Sequence, residues 1–136
     1  MKTININGKD YTVEELTSIL ENAKSVNPIE EVYTFNGTTE KAFEELYKNI
    51  PPNIKATAQE EMIVNFYNKN IKPDWNNPNQ PKYFPWFYLG SEFGFYFVGY
   101  FCLGASASSR LCFLREEDCL EAVKKFEHIY KQSRNA

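Results

Sequence analysis

Glu92–Phe101, EFGFYFVGYF, carries an aromatic ring or a glycine at almost every position, and its reading decides the fold. Gly94, Phe95, Phe97, Val98 and Tyr100 fall in register with the RNA-recognition pattern Lys/Arg-Gly-Phe/Tyr-Gly/Ala-Phe-Val-x-Phe/Tyr. Two positions break it. Phe93 stands where a basic residue would meet phosphate, and Tyr96 where a small residue would face away from the stacked bases. The surrounding element order is also not the βαββαβ of that platform. The stretch is therefore read as a strand with rings on both faces, one of them under a helix. Strand alternation puts Phe93, Phe95 and Phe97 on one side and Tyr96, Val98 and Tyr100 on the other. Phenol hydroxyls tolerate water, so the phenylalanine side is expected in the core and the tyrosine side against a ligand, a partner chain or the early helices. On that reading Phe95→Ala costs about 3 kcal/mol or more.

Working outward, KYFPWFYL from Lys82 and SRLCFL from Ser109 flank this stretch as further strands, separated by Gly90-Ser91 and the Gly104–Ser109 loop. The expectation is a three-strand antiparallel meander. Pro85 has no N–H for a ladder, so its strand lies on an edge or begins at Trp86. The chain closes with Glu116–Gln132, where Cys119, Leu120, Val123, Phe126, Ile129 and Tyr130 recur at helical spacing behind an acidic first turn. That helix should cover the sheet.

The first half reads as helical after a short hairpin. Asn7-Gly8 favours a two-residue turn, and Thr12-Val-Glu-Glu15 has the form of a capping box leading into Val13, Leu16, Ile19, Leu20 and Ala23. Thr39 is placed to cap a helix over Glu40–Asn49 with Ala42, Phe43, Leu46 and Ile50 buried, and Ile54–Asn70 follows the Pro51-Pro52 break. In that last helix Ile54, Ala58, Met62, Phe66 and Asn70 step by four, with Ile63 and Tyr67 alongside. Pro73–Pro81 is a linker or a surface loop packed by Trp75. The fold class is thus α+β in one domain over 1–136, residues 1–72 supplying hairpin and helices and 82–132 strands and closing helix.

Composition narrows the function. The 136 residues carry a net charge of −3, 16% aromatic and 24% charged residues, so a core is expected and a phosphate backbone is repelled overall. Cys102, Cys112 and Cys119 show no paired spacing and are expected reduced, and the amino terminus lacks a secretory segment, which suggests the cytoplasm. No apolar run is long enough to cross a membrane. His128, the only histidine, lies off the apolar stripe of its helix, and no metal site, cofactor motif or catalytic constellation emerges. Asp74 beside Trp75 has no second carboxylate in fixed relation and reads as a loop anchor. Ser106–Arg110 offers hydroxyls, amides and a guanidinium to an anion, although such an arginine more often meets a nearby carboxylate.

Ile71–Asn77 (IKPDWNN), Lys82–Phe87 (KYFPWF), Phe93-Gly-Phe95, Ser109–Phe113 (SRLCF) and Phe126–Lys131 (FEHIYK) together resemble a family of small uncharacterised proteins from phages and prophages of Bacteroidetes-type bacteria. The resemblance covers 71–132. It implies a phage-associated role and lends no active site. Leu114-Arg115 and Glu121–Val123 depart from the serine at the last helix start and the Tyr-Ala-Gly-like stretch usual in that family. The expected function is a non-catalytic accessory protein that binds a host or phage protein or a second copy of itself. The alternative is a nucleic-acid or nucleotide binder. Trp75, Trp86, Tyr96, Tyr100, Ser108, Ser109 and Arg110 are the candidate binding residues.

Overall fold

The computed structural model describes residues 2–25, 28–104 and 108–134. Strands β1 (Thr3–Ile6) and β2 (Lys9–Thr12) form the expected hairpin, with both turn residues, Asn7 and Gly8, at positive φ. Thr12 Oγ1 accepts the Glu15 N–H at 3.1 Å and starts α1 (Val13–Ser25). Val13, Ile19 and Leu20 of α1 remain exposed, and the Ala23 side chain lies outside the described residues.

Helix α2 (Ile29–Phe35) was not anticipated, yet Ile29, Val32 and Tyr33 are buried at its centre. Pro28 immediately before Ile29 was the available signal, since proline suits a helix start and terminates what precedes it. Helix α3 (Glu40–Tyr47) is capped by Thr39 as expected, its Oγ1 accepting from Ala42 N–H at 3.2 Å. Its inward stripe is not Ala42, Phe43, Leu46 and Ile50. Phe43 is buried and stacks on Tyr33 and Tyr47, whereas Ala42, Leu46 and Ile50 are exposed. A short helix offers one contact line, and the ring at Tyr47 reaches the core across the i, i+4 step where Leu46 points out.

Helix α4 (Pro52–Tyr67) ends three residues before its expected limit, because Lys69 and Asn70 both take positive φ. Its buried residues are Ala56, Gln59, Glu60, Ile63 and Val64, while Ile54 and Asn70 are exposed and Met62 and Phe66 only partly buried. The polar ones are matched: Gln59 Nε2 donates to Tyr33 Oη at 2.8 Å, and Glu60 accepts from Ser133 Oγ at 2.6 Å. Asn68, also buried, donates to Cys112 O and accepts from Leu114 N–H, each at 3.0 Å. Asn68 thereby ties the end of α4 to the segment that leads into α5 (Glu116–Ser133).

Strands β3 (Lys82–Tyr88) and β4 (Gly94–Phe101) pair antiparallel. The expected third strand does not form. Ser109–Leu111 is a turn of 3₁₀ helix, and only Phe113 bridges to β3, through Tyr83. The next positions that would pair are Pro85 with Leu111 and Pro81 with Arg115; neither proline has an N–H to give, and the Leu111 N–H is bonded to Ser108 O at 3.0 Å, so the ladder does not extend. Pro85 lies inside β3, on the edge that Phe113 touches, which matches the edge reading of that strand.

Helix α5 packs against α4 and on one face of the sheet. Cys119, Ala122, Val123, Phe126, Ile129 and Tyr130 are buried, with Leu120 left exposed, and the helix kinks at Phe126. All three cysteines are free, and burial pushes the Cys112 thiol up to about 11 and the Cys119 thiol up to about 12. Tyr130 is fully buried on this face against Phe87, and its hydroxyl has no hydrogen-bond partner among the described residues. Tyr130→Phe is therefore expected to hold stability within about 1 kcal/mol of wild type, or to raise it, because no bond between protein groups is lost. A urea midpoint showing a larger loss would reveal a partner for that hydroxyl.

Candidate functional site

One β-bulge determines which rings meet solvent. Trp86 opposes Phe97 while Phe87 opposes Phe95, so Tyr96 is an extra residue and the alternation in β4 changes sign there. Phe95 and Phe97 consequently lie on opposite faces. The helix-covered face holds Tyr83, Pro85 and Phe87 of β3 with Val98 and Tyr100 of β4, and Phe93 stacks on Phe87 at 4.9 Å between ring centroids. The other face holds Phe84, Trp86 and Tyr88 with Phe97 and Phe101, and Tyr96 joins it at the bulge.

The phenylalanine-in, tyrosine-out expectation is thus corrected. Phe95 is 36% exposed at the margin of α5 and Phe97 is 43% exposed, while Val98 packs against the core. Phe95→Ala loses less than the 3 kcal/mol expected of a fully enclosed ring, since part of its surface already meets water. Tyr100, 64% exposed, sits beside Tyr83 on the helix-side face.

On the open face the rings form an unbroken series. Tyr88 contacts Tyr96 at 4.5 Å, Tyr96 meets Phe97 at 4.9 Å, Phe97 stacks on Trp86 at 5.7 Å, and Trp86 neighbours Phe84, which stacks on Phe101 at 4.7 Å. Phe84 lies across Gly99, where an added Cβ would stand 2.5 Å from its Cζ, so only glycine fits beneath the ring. Trp86, Tyr88, Tyr96 and Phe97 are all exposed, and no layer of the described residues covers them. Between Lys82 and Arg110 the chain bears a single formal charge, Glu92. Lys82, the only charged residue of β3 and β4, is buried with its Nζ on two backbone carbonyls, so neither strand offers a phosphate an exposed cation.

Lys82 closes one end of this face. It is wholly buried, donating to Asn77 O at 3.0 Å and Cys102 O at 2.7 Å, with Nζ 5.2 Å from the Trp75 ring. Asp74 takes part in the same loop, its carboxylate accepting from Asn76 N–H at 3.0 Å. Trp75 and Asp74 thus anchor the 73–81 loop, as the sequence suggested.

The seven candidate binding residues separate into distinct places. Trp86 and Tyr96 share the open face, and Tyr100 occupies the other side of β4. Trp75, Ser109 and Arg110 converge with Lys72, Asn65 and Glu61 around a cleft of about 180 Å³. Ser108 is spent locally: its Oγ accepts from Arg110 N–H at 3.4 Å. Arg110 approaches the carboxylate of Glu61, remote in sequence, at 3.8 Å, and Ser106 and Ala107 lie outside the described residues. The cleft thus carries the cations Lys72 and Arg110 with the Glu61 carboxylate beside Arg110.

Sequence reasoning missed the polar cluster at the α4–α5 seam. Glu60, buried, accepts from Ser133 Oγ at 2.6 Å and pairs with Arg134, whose guanidinium lies 4.7 Å over Phe87 and 5.3 Å from the Tyr130 ring. Burial raises the Glu60 pKa above the ordinary carboxylate value, opposed by Arg134 and Ser133. The adjoining cavity is only about 30 Å³, so a serine beside a carboxylate has no room for a substrate, and the cluster acts as a clasp on the end of α5. Its one legible sign was a glutamate among the inward positions of α4. No protein-family model, curated protein or solved structure matches this chain.

Proposed function

We propose that this is a non-catalytic binding protein whose open aromatic face docks on another protein chain. The observation that carries the reading is the exposed series Tyr88, Tyr96, Phe97 and Trp86 on an uncovered sheet face. Monomeric surfaces rarely keep so many adjoining rings in water, and rigid aromatic side chains with two torsions lose little entropy when a partner covers them. The near absence of charge favours protein over nucleic acid, because stacked bases arrive with phosphates that Glu92 repels. The likeness of 71–132 to phage and prophage proteins sets the context, an accessory factor in the cytoplasm of a bacterial host. No helix among the described residues is long and apolar enough to cross a membrane.

A photo-reactive phenylalanine analogue at Tyr96, compared with one at exposed Leu46 on α3, tests this in host cells. Discrete protein adducts are expected from position 96 and not from 46. Adducts to nucleic acid alone, or the same protein pattern from both positions, would overturn the reading.

A further inference from the structure

We infer that the outer edge of β4 pairs with the same edge of a second copy, joining two β3–β4 sheets into one four-stranded antiparallel sheet. This rests on the binding reading above and adds the second copy as a partner, so that each assembly presents the aromatic face twice.

The direction of the backbone groups carries the argument. Tyr83 exchanges both its N–H and C=O with Phe113, at 2.8 and 2.7 Å, so its backbone groups point away from β4. In an antiparallel ladder such positions alternate, and opposed residues share the property. Tyr83 and Pro85 therefore point outward on the β3 side, which is where a proline without an N–H fits. Their partners across the ladder, Tyr100 and Val98, point outward on the β4 side. Among the described residues no strand pairs with that edge.

Edges of this kind are ordinarily guarded by charge, proline or a covering segment. β3 has Pro85 and the Phe113 bridge. β4 has neither a charged residue nor a proline from Gly94 to Phe101, and its bulge lies at the Tyr96 end, leaving Phe97–Phe101 regular.

A second copy fits this edge by its own symmetry. A two-fold axis at Gly99 sets Val98 opposite the partner's Tyr100, so the two outward residues exchange backbone bonds in both directions. Gly99 meets the partner's Gly99, where side chains would crowd a close pair. Phe97 meets the partner's Phe101 on the open face, an aromatic cross-strand pair. No like charges are opposed anywhere along the contact, because β4 has none. A lone two-stranded sheet is also a marginal unit that gains from added strands.

Sedimentation equilibrium of the full chain, loaded from about 1 μM to about 1 mM, tests the pairing. Wild type is expected to rise from the 15.9 kDa of one chain towards twice that mass. Tyr100→Pro removes an outward N–H without breaking a bond to β3, and should weaken self-association at least about tenfold while keeping the wild-type circular dichroism spectrum. Should that variant fail to fold, Tyr100→Glu decides instead, by bringing like charges near the axis. A wild-type chain that stays at 15.9 kDa throughout, or a dimer untouched by a folded Tyr100 variant, overturns the proposal. A monomer that still cross-links other proteins from position 96 would leave the binding reading standing and remove only the self-pairing.

Discussion

Arg134→Ala is expected to destabilise the protein by about 3 to 5 kcal/mol near pH 7, because it strands the buried Glu60 carboxylate without its cation. Glu60 is buried at the seam of α4 and α5, and Arg134 is both its ion-pair partner and a lid on Phe87 and Tyr130. The effect has a definite pH dependence. Burial already raises the Glu60 pKa in the folded protein, so the folded state binds this proton more tightly than the unfolded chain does. The group therefore favours folding at low pH, and that contribution is lost as pH rises through the folded pKa. Loss of Arg134 raises this pKa further. The variant's deficit should be greatest near pH 7 and shrink at about pH 4, where Glu60 binds its proton. Urea titrations of both proteins across that range measure it, and a deficit independent of pH would show that Arg134 acts only through packing. Adding Glu60→Gln to Arg134→Ala should recover part of the loss at pH 7, since the two residues interact directly.

Phe126→Ala should cost about 3 to 5 kcal/mol as well, by a different route. Phe126 is 1% exposed, in the middle of α5 and within the cluster that includes Ile63, Phe113 and Ile129. Deleting the ring removes its transfer free energy and leaves a cavity that helices held by Asn68 and Arg134 cannot easily close. This deficit should be the same at pH 4 and pH 7, in contrast to Arg134→Ala. A near wild-type urea midpoint would mean that α5 does not pack as described.

The binding surface was only partly legible in the sequence. Trp86 and Tyr96 were singled out as candidate contact residues, and both lie on the open face. Phe97 was assigned to the core by strict alternation, which no residue type in EFGFYFVGYF contradicts. A bulge leaves little mark when every neighbour is aromatic, because either face of such a strand satisfies the hydrophobic pattern. Trp75 and the Ser109-Arg110 pair come from two separate segments and do converge, where Glu61, remote in sequence, meets Arg110.

Local chemistry determined the elements that depend on neighbours in the chain. Asn7-Gly8 set the hairpin, Thr12 and Thr39 set two helix starts, and the spacing from Cys119 to Tyr130 set the closing helix and, Leu120 aside, its inward face. These rest on turn geometry, capping bonds and periodicity, all confined to a few consecutive residues. Tertiary structure decided what depends on distant groups competing for the same backbone or the same space. Pro81 and Pro85, which flank Tyr83 on the edge that Phe113 meets and have no N–H to give, held a strand-like SRLCFL to a single bridge at Phe113, and Arg134 made Glu60 tolerable inside α4. The register of β3 on β4 divided the rings of EFGFYFVGYF between core and solvent, since alternation gives each residue a side only after the bulge has been placed.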